Sequence, residues 1–180
     1  MRGKPNPFSS SEFIVLGLIY EKPSYGYDLH KQITDPDNMG MIWHINMSNL
    51  YALLEKLAQN GYIQGTVKPG ETHPNRMEYH ISPEGKKAFK TWLGTTVSHP
   101  RDFRNEFMSR FYFLLKFLPD QVADLCARQL DECQLWLSRI KIEADQSIFK
   151  NSVLRFRVKQ IKAIVEWLEE IKQLPTGSSI

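Results

Sequence analysis

The stretch from Trp43 to Ile81 constrains this chain more than any other, because the spacing of its apolar residues changes period within it. Trp43-His44-Ile45 is β-prone. Leu50, Leu53, Leu54 and Leu57 then fall at i, i+3, i+4 and i+7, one buried face of a helix, and Gly61 supplies the left-handed residue that ends it. Asn46 or Ser48 caps the start. After Gly61, Tyr62 to Val67 and Arg76 to Ile81 read as strands. The turn-rich segment from Lys68-Pro69-Gly70 to Pro74-Asn75 joins them. The expected order is a short strand, a helix, and a hairpin with a loose tip.

Two helices precede it. Ser9-Ser10-Ser11-Glu12 offers a capping box, and the nearly all-apolar FIVLGLIY behind it predicts a buried first helix. Pro23-Ser24-Tyr25-Gly26-Tyr27-Asp28-Leu29 punctuates the chain and opens a second helix, with Ser24 as its cap and Leu29 and Ile33 on its inner face. Thr34 to Gly40 reads as a loop. The resulting order, α-α-β-α-β-β, is that of a winged helix-turn-helix. In that fold the first two helices brace a third, which enters a DNA major groove about 12 Å wide.

Charge does not argue for nucleic acid by itself. Net charge is +3, with ten Lys/Arg against nine Asp/Glu up to residue 95 and thirteen against eleven beyond. Neither half is strongly basic, so contact with phosphate depends on local clustering.

Three ordered segments resemble one family. PSYGYDL (Pro23 to Leu29), SNLYALLEKLAQNGYI (Ser48 to Ile63) and NRMEYHISPEGKKAF (Asn75 to Phe89) are similar to the PadR family of bacterial transcriptional regulators, the phenolic-acid-responsive type. The resemblance implies that Tyr25-Gly26-Tyr27 lies on the second helix and that the Leu50-Tyr51 segment is the recognition helix. It places Arg76 on the second wing strand. It also implies dimerisation through the C-terminal half, and a role that is usually repression relieved by a small molecule.

With the leucines facing inward, Asn46, Ser48, Asn49, Tyr51 and Lys56 are the outward DNA-binding candidates. Amides at a helix N-terminus attract phosphate, and Asn49 is the first choice for base readout because an amide pairs bidentately with adenine. The plain alternative for Asn46 or Ser48 is a helix cap, and for Tyr51 a ring packed on the second helix. Glu55 opposes close phosphate contact. On the wing, Lys68 and Arg76 are the expected phosphate contacts, while His73 reads as solvated.

Ser82-Pro83-Glu84 opens a fourth helix through Phe89, Trp92 and Leu93. Gly94 to Pro100 marks the expected boundary between a winged-helix DNA-binding domain (1–95) and a helical dimerisation and effector domain (96–180). Past the aromatic FRNEFMSRFYFLLKFL, a pattern from Pro119 to about Phe149 predicts one helix about 45 Å long. The last helix carries two adjacent apolar stripes. Leu154, Val158, Ile161, Val165 and Leu168 form one; Val153, Phe156, Ile164, Trp167, Ile171 and Leu174 form the other. So wide a sector wants two partners, the chain's own long helix and a second subunit. The expected fold is therefore mainly α with a small β wing, the second domain having long antiparallel helices and forming a homodimer. An inverted-repeat operator on double-stranded DNA follows from the two-fold symmetry.

Between the subunits of such a dimer, Phe107, Phe111, Trp136 and Trp167, with Phe103 and Phe113, suit a cavity for a small aromatic or cationic effector through stacking and cation–π contact. The plain alternative is that they are core. Cys126 and Cys133 lie seven residues apart, about 10 Å along one helix, too far for an internal disulfide, and read as reduced apolar side chains. His30, His44, His73, His80 and His99 lack metal spacing, Asp35 to Gly40 departs from a calcium loop at Met39, and no phosphate loop or nucleophile elbow is present. No cofactor, metal or catalytic activity is expected. No apolar run reaches the roughly 18 residues of a membrane span, and the N-terminus lacks a secretion signal, which points to the cytoplasm. The rival reading is a helical dimeric adaptor whose winged helix binds protein rather than DNA.

Overall fold

The computed structural model describes residues 10–69, 75–143 and 146–173. The chain divides into two compact units, 1–93 and 94–180.

The first unit opens with α1 (Ser10–Glu21), whose residues from Glu12 to Ile19 are all buried. Its apolar run from Phe13 to Tyr20 becomes the hub of this core, with Phe13 stacked on Trp92 and Tyr20 against Phe89. Ser9 lies outside the described residues. Glu12 is buried and forms an ion pair with Lys56.

Next come β1 (Ser24–Tyr25) and α2 (Gly26–Ile33). Leu29 and Ile33 are fully buried, as their spacing predicts. Ser24 is not the cap: it sits in β1, its hydroxyl donates to the Lys22 carbonyl, and Tyr25 occupies the cap position without a side-chain bond. The expected strand at Trp43–Ile45 is also corrected. Those residues are irregular, and the His30 ring Nε2, 3.2 Å from the Ile45 carbonyl, meets a group that a strand neighbour would otherwise serve. The open edge of the wing is taken instead by Ser24–Tyr25.

Helix α3 (Met47–Gln59) buries Leu50, Leu54 and Leu57, while Leu53 is only half-buried. It ends as expected at Gly61, whose φ of 75° is the left-handed conformation that glycine adopts without strain. β2 (Ile63–Lys68) and β3 (Arg76–Ile81) follow as an antiparallel pair, giving the sheet order β1-β3-β2. The register sets Ile63 opposite Ile81 and Lys68 opposite Arg76. Ser82 then caps α4 (Pro83–Leu93), accepting from the Gly85 amide at 3.0 Å and donating to the Gly61 carbonyl at 2.7 Å.

The second unit holds α5 (Pro100–Asp102), a π-helical turn (Phe103–Phe107), α6 (Met108–Phe117), α7 (Val122–Ser138) and α8 (Ile148–Lys172). The single helix expected to about Phe149 is two: α7 stops after 17 residues, about 25 Å. A polar stretch follows Ser138, and Ser147 accepts from the Lys150 amide to restart the helix as α8. Trp136, near the end of α7, shares a cleft with Ile161 in mid-α8, whereas Cys126, near the start of α7, feels the charge of Lys172 at the end of α8. The two helices therefore run antiparallel.

The first α8 stripe behaves as expected: Ile161 and Leu168 are buried, and Leu154, Val158 and Val165 partly so. In the second, Trp167 already has partners in its own chain, the rings of Phe103, Phe107 and Phe111. Ile148, Phe149 and Phe156 remain open, at 88%, 79% and 66% exposure.

The segment after α4 is stitched to α7. Buried Gln129 bonds both backbone groups of Val97, Arg128 donates to the Gly94 carbonyl, and the Trp136 indole donates to the Ser98 carbonyl.

Candidate nucleic-acid interface

Helix α3 presents its first turn to solvent. Asn46, Ser48 and Asn49 are exposed. Of the two candidate caps Asn46 takes the role: its side-chain oxygen accepts from the Asn49 amide at 2.8 Å, satisfying one of the donors that a helix start leaves open. Ser48 and Asn49 keep their side chains free of any such duty, and both stand at the positive end of the helix dipole.

Tyr51 is 47% exposed and lies over the start of α2. A Cβ on Gly26 would come within 2.8 to 2.9 Å of the Tyr51 ring, so glycine there is what lets the ring approach. Ring packing and exposure coexist, and Tyr51 borders a cleft with Tyr27 and Arg76. Tyr27, 67% exposed at the same rim, escapes a reading by helical periodicity because α2 shows its apolar pattern only through Leu29 and Ile33.

Lys56 is placed differently from the other candidates. Its ammonium lies 2.5 Å from the buried Glu12 carboxylate, tying α3 to α1. Glu55, next to it, accepts from the Gln59 side chain.

On the wing, Lys68 and Arg76 occupy paired positions at the tip end of the ladder, both exposed. Lys68 is 3.5 Å from Glu78, which also meets the His80 ring at 2.8 Å. Desolvation raises the Glu78 carboxyl, but the His80 and Lys68 contacts together outweigh it and hold the group below its usual range. His73 lies outside the described residues.

An exposed helix start beside a strand pair with two tip cations is the arrangement of a winged-helix DNA reader. Residues 15–91, nearly the whole first unit, match the model of the transcriptional regulator PadR-like family. Over these residues the chain is a member of that family. The negative transcriptional regulator PadR of Bacillus subtilis is 25% identical over 173 residues, covering 89% of this chain and 94% of that protein. The crystal structure of Bacillus subtilis PadR in complex with operator DNA is similar at 24% identity, over 91% of this chain and 98% of that one, with a TM-score of 0.49. A transcriptional regulator from Clostridium thermocellum is 35% identical, over 44% of this chain and 75% of that one, with a TM-score of 0.39. Membership in a family of transcriptional regulators disfavours the adaptor reading.

Within one chain, among the described residues, Phe107, Phe111 and Trp167 share a cluster of rings and Trp136 lies outside it. Phe107 is fully buried and stacked on Phe103 at 4.5 Å, and Trp167 meets Phe103, Phe107 and Phe111 edge-on at 5.9, 6.2 and 5.2 Å. Rings at these separations fill one another's space. Trp136 stands apart, lining a cleft between α7 and α8. The cysteines are free and buried, and burial pushes both thiols up to about 11. No described helix is long and apolar enough to cross a membrane.

Proposed function

We propose that this protein is a DNA-binding repressor that reads an inverted-repeat operator as a homodimer and is released by a small-molecule effector. The carrying observation is the first unit's exposed α3 start, with Ser48 and Asn49 free of capping, in the same fold as paired Lys68 and Arg76. Ser48 and Asn49 read base edges; Tyr51, Lys68 and Arg76 hold the backbone. Repression follows the character of the Bacillus relative, a negative regulator. The protein acts by binding, in the cytoplasm where its DNA is.

Dimerisation is supported by the open apolar side chains of α8, Ile148, Phe149 and Phe156, which a soluble chain covers by association. A two-fold axis then sets two α3 helices on half-sites about 34–36 Å apart. On this reading residues 1–93 contact DNA, and residues 94–180 pair the subunits and take the effector.

Fluorescence anisotropy with the DNA upstream of the protein's own gene tests the reading. Two wing cations per subunit, four per dimer, give a log–log salt slope of about −3.6, on the order of a hundredfold weaker binding for a fourfold rise in salt. Binding that ignores both sequence and salt would overturn it. Sedimentation should show a species of twice 21.0 kDa, reduced to the monomer by Phe149→Glu with Phe156→Glu.

A further inference from the structure

Inside the second unit, the end of α7, the middle of α8 and residues 98–101 enclose a cleft of about 380 Å³. That is the size of a small-ligand site. Its walls are of two kinds. Trp136, 5% exposed, has its indole N–H committed to the Ser98 carbonyl at 2.9 Å, so it offers the cleft carbon surface beside Ile140 and Ile161. Three guanidinium groups, Arg101, Arg139 and Arg157, line the same space, and no carboxylate does. Arg101 has Asp102 at 3.6 Å, a carboxylate that His99 shares at 3.4 Å. Neither Arg139 nor Arg157 has an acidic partner among the described residues.

Like charges around one apolar slot repel, and a ligand of opposite sign relieves the repulsion. A cationic effector is therefore the wrong class for this site. The charge count also chooses among anions. Two guanidinium groups remain uncompensated, more than one monocarboxylate neutralises. A phosphate monoester carries about −1.5 to −2 at neutral pH and accepts bidentate bonds from more than one arginine. We infer that this cleft binds a phosphomonoester borne on a flat ring, with the ring against Trp136 and the phosphate among Arg101, Arg139 and Arg157. Binding stands on the second unit alone; its use as the switch rests on the DNA-binding reading.

Isothermal titration calorimetry on the full chain without DNA separates the two. Phenyl phosphate and AMP are the probes, which distinguish an aryl from a nucleoside ring; benzoate and adenosine are the singly charged and uncharged comparisons. At least one phosphate probe should bind more tightly than about 1 mM and at least tenfold more tightly than either comparison. Arg139→Gln with Arg157→Gln should weaken it at least tenfold, whereas Lys159→Gln with Lys162→Gln, the same charge loss at α8 positions outside the cleft lining, should leave it within twofold. Benzoate binding as tightly as phenyl phosphate would overturn the phosphate assignment. So would no binding by either probe, or equal losses from both variant pairs. A change in sedimenting mass in the arginine variant would show that those groups meet a second copy instead. Operator binding, measured separately, can fail without touching any of these outcomes.

Discussion

Replacing Lys56 by Met removes the ammonium and keeps an apolar stem of similar length. The Glu12 carboxylate it leaves is fully buried, while the Lys56 side chain is 51% exposed. Breaking a fully buried pair costs about 3–5 kcal/mol and breaking an exposed one about 0–1. With one partner buried and the other half in water, a loss of about 2 kcal/mol is expected. For a chain of 180 residues that lowers the melting temperature by about 4–8 °C. Glu12→Gln removes the buried charge, so adding Lys56→Met to that background should cost less than about 0.5 kcal/mol. Urea titration followed by far-UV circular dichroism measures all four proteins. The salt slope of operator binding should stay unchanged, since the ammonium faces Glu12. If Lys56→Met keeps wild-type stability and flattens the slope by about 0.9 per subunit, Lys56 is a phosphate contact and the reasoning is refuted.

Other expectations follow from the same geometry. Lys68→Ala and Arg76→Ala should each reduce the salt slope by about 0.9 per subunit and weaken binding to all DNA sequences alike, which anisotropy across a salt series will check. Asn46→Ala removes the α3 cap and should cost about 1 kcal/mol by urea denaturation, whereas Ser48→Ala should cost little. With both thiols raised from 9.0 to about 11, iodoacetamide should label the native protein far more slowly than the urea-unfolded chain at pH 8. The unfolded chain loses these protons first as pH rises. The thiols' contribution to stability is therefore complete below about pH 9 and lost towards pH 11, and Cys126→Ala with Cys133→Ala should flatten that decline.

Local signals carried much of the fold. Leu50, Leu54 and Leu57, Gly61 and Ser82 each encode their element through periodicity, a left-handed residue or a cap, and the structure uses each in that way. What escaped depends on distant partners. Ser24 and Tyr25 look like a helix start until β3 offers an open edge at Tyr79 and Glu78. The break between α7 and α8 escaped because Ile140 and Ala144 continue the helical spacing across it. Helix phase puts Lys56 on the outward side of α3, yet no local pattern reveals that Glu12, forty-four positions earlier, is buried beneath it. Among the aromatics, only three-dimensional packing separates Trp136 from the Phe103–Phe107–Trp167 group.

The stitching of residues 94–98 to α7 has a mechanical consequence. A connector between folded units ordinarily acts as slack rope, taking up motion on one side before the other feels it. Here Gln129 imitates a strand neighbour for Val97, and Arg128 grips the carbonyl of Gly94, the residue directly after the end of α4. Residues 94–98 are therefore not slack: they belong mechanically to the second unit, and a shift of α7 carries them along instead of being taken up within them.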